Sequence, residues 1–129
     1  MVRTPRPITG PGIEVGMNIY VSLADEIAVL RIEGRLWEEG DTVELDRMID
    51  DTLARGCTRF VADLTGVPIM NSSGLGSLIA AMKKIRSRDG EMVLTGVNDR
   101  LDHLFRITRL YTVFKTYDDV DAAVENMLA

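Results

Sequence analysis

Asp63-Leu64-Thr65-Gly66-Val67-Pro68-Ile69-Met70-Asn71-Ser72-Ser73-Gly74-Leu75-Gly76 is the stretch on which the reading of this chain turns. It opens inside Arg59-Phe60-Val61-Ala62-Asp63-Leu64, a short apolar run with a β-branched centre, the pattern of a central strand buried on both faces of a sheet. A loop, Thr65 to Met70, follows. Beyond it Leu75, Leu78, Ile79, Met82 and Ile85 recur at i, i+3, i+4, i+7 and i+10, which places them on one face of a helix. Lys83, Lys84, Arg86 and Arg88 load its last turns with charge that complements the macrodipole, and Gly90 is read as its end.

Working outward, Ile19, Val21 and Leu23 and then Ile27, Val29, Leu30 and Ile32, with Ala24-Asp25-Glu26 between them, predict a β-hairpin closed off by Gly34. Val43, Leu45, Met48, Ile49, Leu53 and Ala54 recur at helical spacing up to Gly56. Glu91 to Thr95 reads as a strand, Asp99 to Ile107 as a helix, Tyr111 to Thr116 as a last strand and Asp118 to Leu128 as a final helix. A hairpin followed by alternating helices and strands gives an α/β fold, a mixed β-sheet carrying about four packed helices. Pro5, Pro7, Pro11, Gly10 and Gly12 crowd the start, so residues 1–12 are expected to be a flexible Pro-rich tail and residues 13–129 a single domain.

The 129 residues fit one domain, and 46% apolar with 27% charged residues is the mixture of a folding globular chain. A net charge of -5 sets the long-range field against phosphate backbones and anionic lipid, which disfavours nucleic-acid binding. Prolines interrupt the basic start and no apolar run follows it, so no signal peptide is expected. No stretch reaches membrane-spanning length, so no direct membrane insertion is expected and the default location is the cytosol. The single cysteine, Cys57, cannot form an internal disulfide and reads as a partly buried thiol.

Small polar residues crowd the far end of the opening stretch. The simplest account is capping, in which Asn71 or Ser72 accepts from an orphan backbone N–H. Two features point further. Gly74 and Gly76 fall in the first helical turn, although glycine there costs about 1 kcal/mol relative to alanine, which suggests close approach by something else. Ser72 would also stand where free N–H groups and the positive dipole end favour an added phosphate.

Other chemistry fails on spacing. Gly74-Leu75-Gly76-Ser77-Leu78-Ile79 lacks the last glycine of a dinucleotide fingerprint, and there is no P-loop and no nucleophile elbow. The one histidine, His103, lies on another predicted helix with nothing tying it to Ser72 as a base, so no catalytic residue and no enzyme activity are expected. One His and one Cys supply no zinc set, the carboxylates show no calcium-loop spacing, and no cofactor is expected. Asp50-Asp51 and Asp118-Asp119 read as a solvated helix face and a helix N-terminal pair, and Met48, Met82 and Met92 as packing. Trp37 follows Gly34-Arg35-Leu36 at a strand-to-helix junction, either as a core-edge residue or as an exposed anchor.

At these residues the chain resembles the STAS domain family, and within it the bacterial anti-sigma factor antagonists. The resemblance runs from about Asn18 to Leu128 and is most specific over Asp63 to Val67 and Asn71 to Gly76. Gly90-Glu91-Met92-Val93-Leu94, and Leu104-Phe105 through Val113-Phe114, match more loosely. It implies a STAS-like mixed sheet and a partner switch. The unphosphorylated domain would bind an anti-sigma factor with serine kinase activity, and phosphorylation would break the complex, with a serine phosphatase as a further partner. By position the acceptor is Ser72, and Asn71, Ser72, Ser73, Gly74, Gly76 and Trp37 would form the partner-binding set. Three positions depart from the family pattern: Asn71 and Trp37 stand where aspartate is common, and Arg109 where a glycine precedes the last strand. Losing both acids makes the site less negative, which bears on kinase recognition. The alternative is a STAS scaffold or ligand-binding subunit of a signalling or lipid-transport assembly that is never phosphorylated.

Overall fold

The computed structural model describes residues 6–7, 17–34 and 39–128. The hairpin forms from β2 (Met17–Ala24) and β3 (Ile27–Gly34), after a two-residue edge strand, β1 (Arg6–Pro7). Asp25 and Glu26 make its two-residue turn, both at positive φ (49° and 73°), which lets the turn follow the right-handed twist of the strands. From β3 the chain alternates through α1 (Glu39–Ala54), β4 (Arg59–Gly66), α2 (Ser72–Arg86), β5 (Glu91–Thr95), α3 (Asp99–Ile107), a 3₁₀ turn (Leu110–Thr112), β6 (Thr116–Tyr117) and α4 (Val120–Leu128). Among the described residues the sheet has six strands in the order β1-β2-β3-β4-β5-β6, antiparallel through the hairpin and parallel from β3 to β6.

Strand β4 is central, as its apolar run predicts. Phe60, Ala62 and Leu64 point to one face and join Leu45, Met48 and Ile49 of α1 with Leu78, Met82 and Ile85 of α2. Val61 points to the other, where Val29, Val93 and Ala123 pack under α4. Three crossover helices therefore cover one face and the C-terminal helix the other. This arrangement puts the carboxyl ends of β3, β4 and β5 along one edge of the sheet.

Several expected boundaries move. The strand expected over Tyr111 to Thr116 is a 3₁₀ turn followed by a two-residue strand. Leu110 and Phe114, four apart, are both buried, a helical spacing and not the alternation of a strand. Arg109 takes the left-handed conformation (φ 58°, ψ 30°) where the family pattern has glycine, so the turn survives at a cost of about 1 kcal/mol. Helix α2 ends at Arg86 with Ser87 as its cap, and Gly90 serves a different need, since a Cβ there would collide with the Thr58 carbonyl. Helix α4 starts at Val120 and not Asp118, because the Asp119 carboxylate accepts from the Ala122 N–H at 2.8 Å. Within the segment expected to be a tail, Arg6 and Pro7 pair with Val21 and Tyr20; proline is tolerated there because β1 is an edge strand. The rest of that segment lies outside the described residues.

Candidate functional site: the start of helix α2

Strand β4 delivers the chain to the sheet edge at Gly66, and a loop turns it back into α2. Val67 and Met70 are buried and anchor that loop, with the Val67 N–H donating to the Leu64 carbonyl at 2.9 Å. Asn71 is extended (φ -106°, ψ -172°), its Oδ1 accepts from Gly74 N–H at 3.0 Å, and its carbonyl accepts from Leu75 N–H at 2.9 Å. Asn71 is therefore the N-cap, and Ser72 and Ser73 are the first two helical residues.

That assignment frees Ser72. Both Ser72 and Ser73 are exposed, and among the described residues neither hydroxyl has a hydrogen-bond partner, whereas Ser77 Oγ donates to the Gly74 carbonyl at 2.7 Å. The first turn of α2 carries no acidic residue, so its positive dipole end is not neutralised from within. Gly74 is buried and Gly76 exposed, and a Cβ built on Gly76 would meet nothing within 4 Å. The protein's own packing thus places no demand for glycine at 76, which leaves a bare stretch of helix facing outward.

The end of β5 and the loop after it support this turn. Asn98, the N-cap of α3, accepts from Leu101 N–H at 2.8 Å and donates to the carbonyls of Val67 (3.1 Å) and Pro68 (3.3 Å). Asp63 Oδ1 accepts from Thr65 N–H (3.1 Å), Thr65 Oγ1 (2.7 Å) and Thr95 Oγ1 (3.3 Å). In the sequence, the place of Asn98 before Asp99 marks a cap, but nothing local marks its reach to the other loop.

A central sheet with three crossover helices on one face and a fourth helix on the other is an arrangement shared with known proteins. The STAS domain profile matches residues 18–123. The chain belongs to the STAS domain family. An anti-sigma-B factor antagonist of Listeria monocytogenes is 47% identical over 53 residues, 41% of this chain and 46% of that one, so the match spans under half of that relative. An anti-sigma-B factor antagonist of Staphylococcus aureus is 28% identical over 96 residues, 74% of this chain and 88% of that one. In three dimensions the chain is similar to the Bacillus cell fate determinant SpoIIAA in its phosphorylated form (TM-score 0.66, 17% identity, 86% of this chain and 99% of that one), a likeness of fold.

Trp37 lies outside the described residues. His103 is exposed on α3, and among the described residues no hydrogen bond joins it to a serine. Cys57 is a half-buried free thiol. Met48, Met82 and Met92 are buried in packing positions. Asp50 faces α2, where its carboxylate pairs with Lys84 Nζ at 2.8 Å beside Asp46. Among the described residues no group of three His, Cys, Asp or Glu side chains could hold a metal, and no helix is long and apolar enough to cross a membrane.

Proposed function

We propose that this STAS domain is an anti-sigma factor antagonist, a cytoplasmic binding protein and not an enzyme, switched by phosphate on Ser72. The observation that carries this reading is the division of labour at the helix start: Asn71 does the capping, so the exposed Ser72 hydroxyl is free to be modified. The unmodified chain docks an anti-sigma factor through Ser72, Ser73 and Gly76, with Asn71 and buried Gly74 shaping the turn beneath them and Trp37 completing the contact. The anti-sigma factor's kinase activity then transfers the γ-phosphoryl of ATP to Ser72 Oγ, releasing ADP and the hydroxyl proton. A serine phosphatase hydrolyses the phosphoserine with water, restoring the Ser72 hydroxyl and releasing inorganic phosphate.

Phosphate changes binding and not folding for an electrostatic reason. Close to two negative charges at the first helical residue are favourable to α2 itself, since they face its positive end. The same charges inside a contact packed onto Gly76 would be desolvated without a partner, at a cost of several kcal/mol. A micromolar complex is held by only about 8 kcal/mol, so that cost dissociates it. Asn71 suits this scheme, because its amide oxygen caps as an aspartate would while adding no charge next to the phosphate. Incubation with ATP and the anti-sigma factor of the same organism should add one phosphate by intact mass, mapped to Ser72; a chain that stays unmodified while binding that factor would refute the switch.

A further inference from the structure

The loop that presents Ser72 is held from a neighbouring loop, by a single side chain that does two jobs. Asn98 Oδ1 caps α3 by accepting from Leu101 N–H at 2.8 Å. Its Nδ2 donates to the Val67 carbonyl at 3.1 Å and the Pro68 carbonyl at 3.3 Å, in the segment just ahead of Asn71 and Ser72. A second tie lies alongside. Gly96 has φ +70°, and a Cβ there would collide with Thr65 Oγ1 and stand 2.7 Å from Thr65 N and 2.9 Å from Asp63 Oδ1. The turn after β5 is thus packed directly on the end of β4 and hydrogen-bonded to the loop beyond it.

We propose that Asn98 is the positioning residue of the phosphoacceptor. By holding the carbonyls of residues 67 and 68 from the fixed start of α3, it sets where the Asn71–Ser72 turn stands relative to the sheet, and so how well Ser72 meets the kinase. This rests on the reading of Ser72 as acceptor. Asparagine suits the double role because it offers an acceptor and two N–H donors on one short side chain. Aspartate or serine would still cap α3, but aspartate has no N–H to donate and the serine hydroxyl is too short to reach both ends. These substitutions therefore separate the two jobs without removing the cap.

The test uses the full chain as wild type, Asn98→Asp and Asn98→Ser, with two readouts: amide hydrogen exchange residue by residue, and kcat and KM as a substrate of the anti-sigma factor kinase. Both variants should keep the protection of the Leu101 amide while exchange at Val67, Gly74 and Leu75 rises about tenfold, the mark of a locally loosened loop. With melting temperature little changed, kcat/KM for phosphorylation should fall by about tenfold, as expected when a reacting group is no longer held in place. Unchanged exchange at Val67, Gly74 and Leu75, or an equal rise at Leu101, would reduce Asn98 to an ordinary cap and overturn the proposal. So would a loosened loop that is phosphorylated at the wild-type kcat/KM. A wild-type chain that takes no phosphate refutes the reading of Ser72 and the positioning role with it; the exchange data, which need no partner, distinguish that result from a failure of Asn98 to hold the loop.

Discussion

Ser72 and Gly76 stand about one helical turn apart at the start of α2, both exposed, and they report different things about the proposed docking edge. Replacing Ser72 by alanine removes the acceptor and leaves the Asn71 cap in place, so Ser72→Ala should bind the anti-sigma factor as wild type does while taking no phosphate. Ser72→Asp should weaken binding with an unchanged circular dichroism spectrum, because aspartate is tolerated in a first helical turn. Gly76→Ala separates stability from binding. The added methyl meets nothing in the protein and removes up to about 1 kcal/mol of glycine penalty, so the melting temperature should rise even as partner affinity falls. A variant that is both more stable and binds as tightly as wild type would mean that the partner does not approach Gly76. At this scale the sequence left Asn71 and Ser72 as equal candidates for the cap, since both side chains cap well; the backbone geometry decides for Asn71. The reach of Asn98 to the loop ahead of Asn71 was not legible, because a contact between two loops far apart in the chain leaves no periodic trace.

Helix α2 shows what periodicity does and does not convey about an element. The five residues placed on its inner face by spacing include Leu78, fully buried, and Leu75, Met82 and Ile85, all buried, but Ile79 only half-buried. Leu78→Ala should therefore destabilise the fold by about 2–5 kcal/mol in chemical denaturation, and Ile79→Ala by clearly less; equal losses would mean that the face is set differently. The end of the chain was harder to read. Leu110, Tyr111, Val113 and Phe114 are apolar enough for a strand, and Tyr111 is instead fixed by tertiary contacts, its ring edge-on to Phe105 (6.0 Å between centroids) and its hydroxyl donating to Asp102 at 2.6 Å. Burial, and then the bond to Asp102, push the Tyr111 phenol up to about 12. A folded state that holds this proton more tightly than the unfolded chain, where a tyrosine titrates near pH 10, is favoured below that pH and loses the contribution as pH rises through about 12. Denaturation midpoints should fall over that window in the wild type and less in Tyr111→Phe.

Taken whole, the molecule is acidic, at -5, and its proposed contact is one small edge of an otherwise ordinary two-faced sheet. No submicromolar, salt-sensitive complex with DNA or RNA is expected, and a gel-shift series at physiological salt checks this. Whole-fold architecture was the most legible level: the hairpin, the central strand and the alternating helices each follow from local pattern, and their agreement leaves few topologies open. Which helices cover which face was not legible, because Val61 and Ala62 are equally apolar and only packing shows that one meets α4 and the other the opposite core. The claim that joins these scales is that phosphate on Ser72 changes partner binding without changing the fold. Its most direct measurement is the affinity of the anti-sigma factor for the chain before and after enzymatic phosphorylation, with the modified residue mapped in the same sample. A single phosphate on Ser72 and a loss of affinity of at least about 100-fold are predicted, the equivalent of nearly 3 kcal/mol. Equal affinity for both forms, or phosphate on Ser73 or Ser77 in place of Ser72, would contradict it.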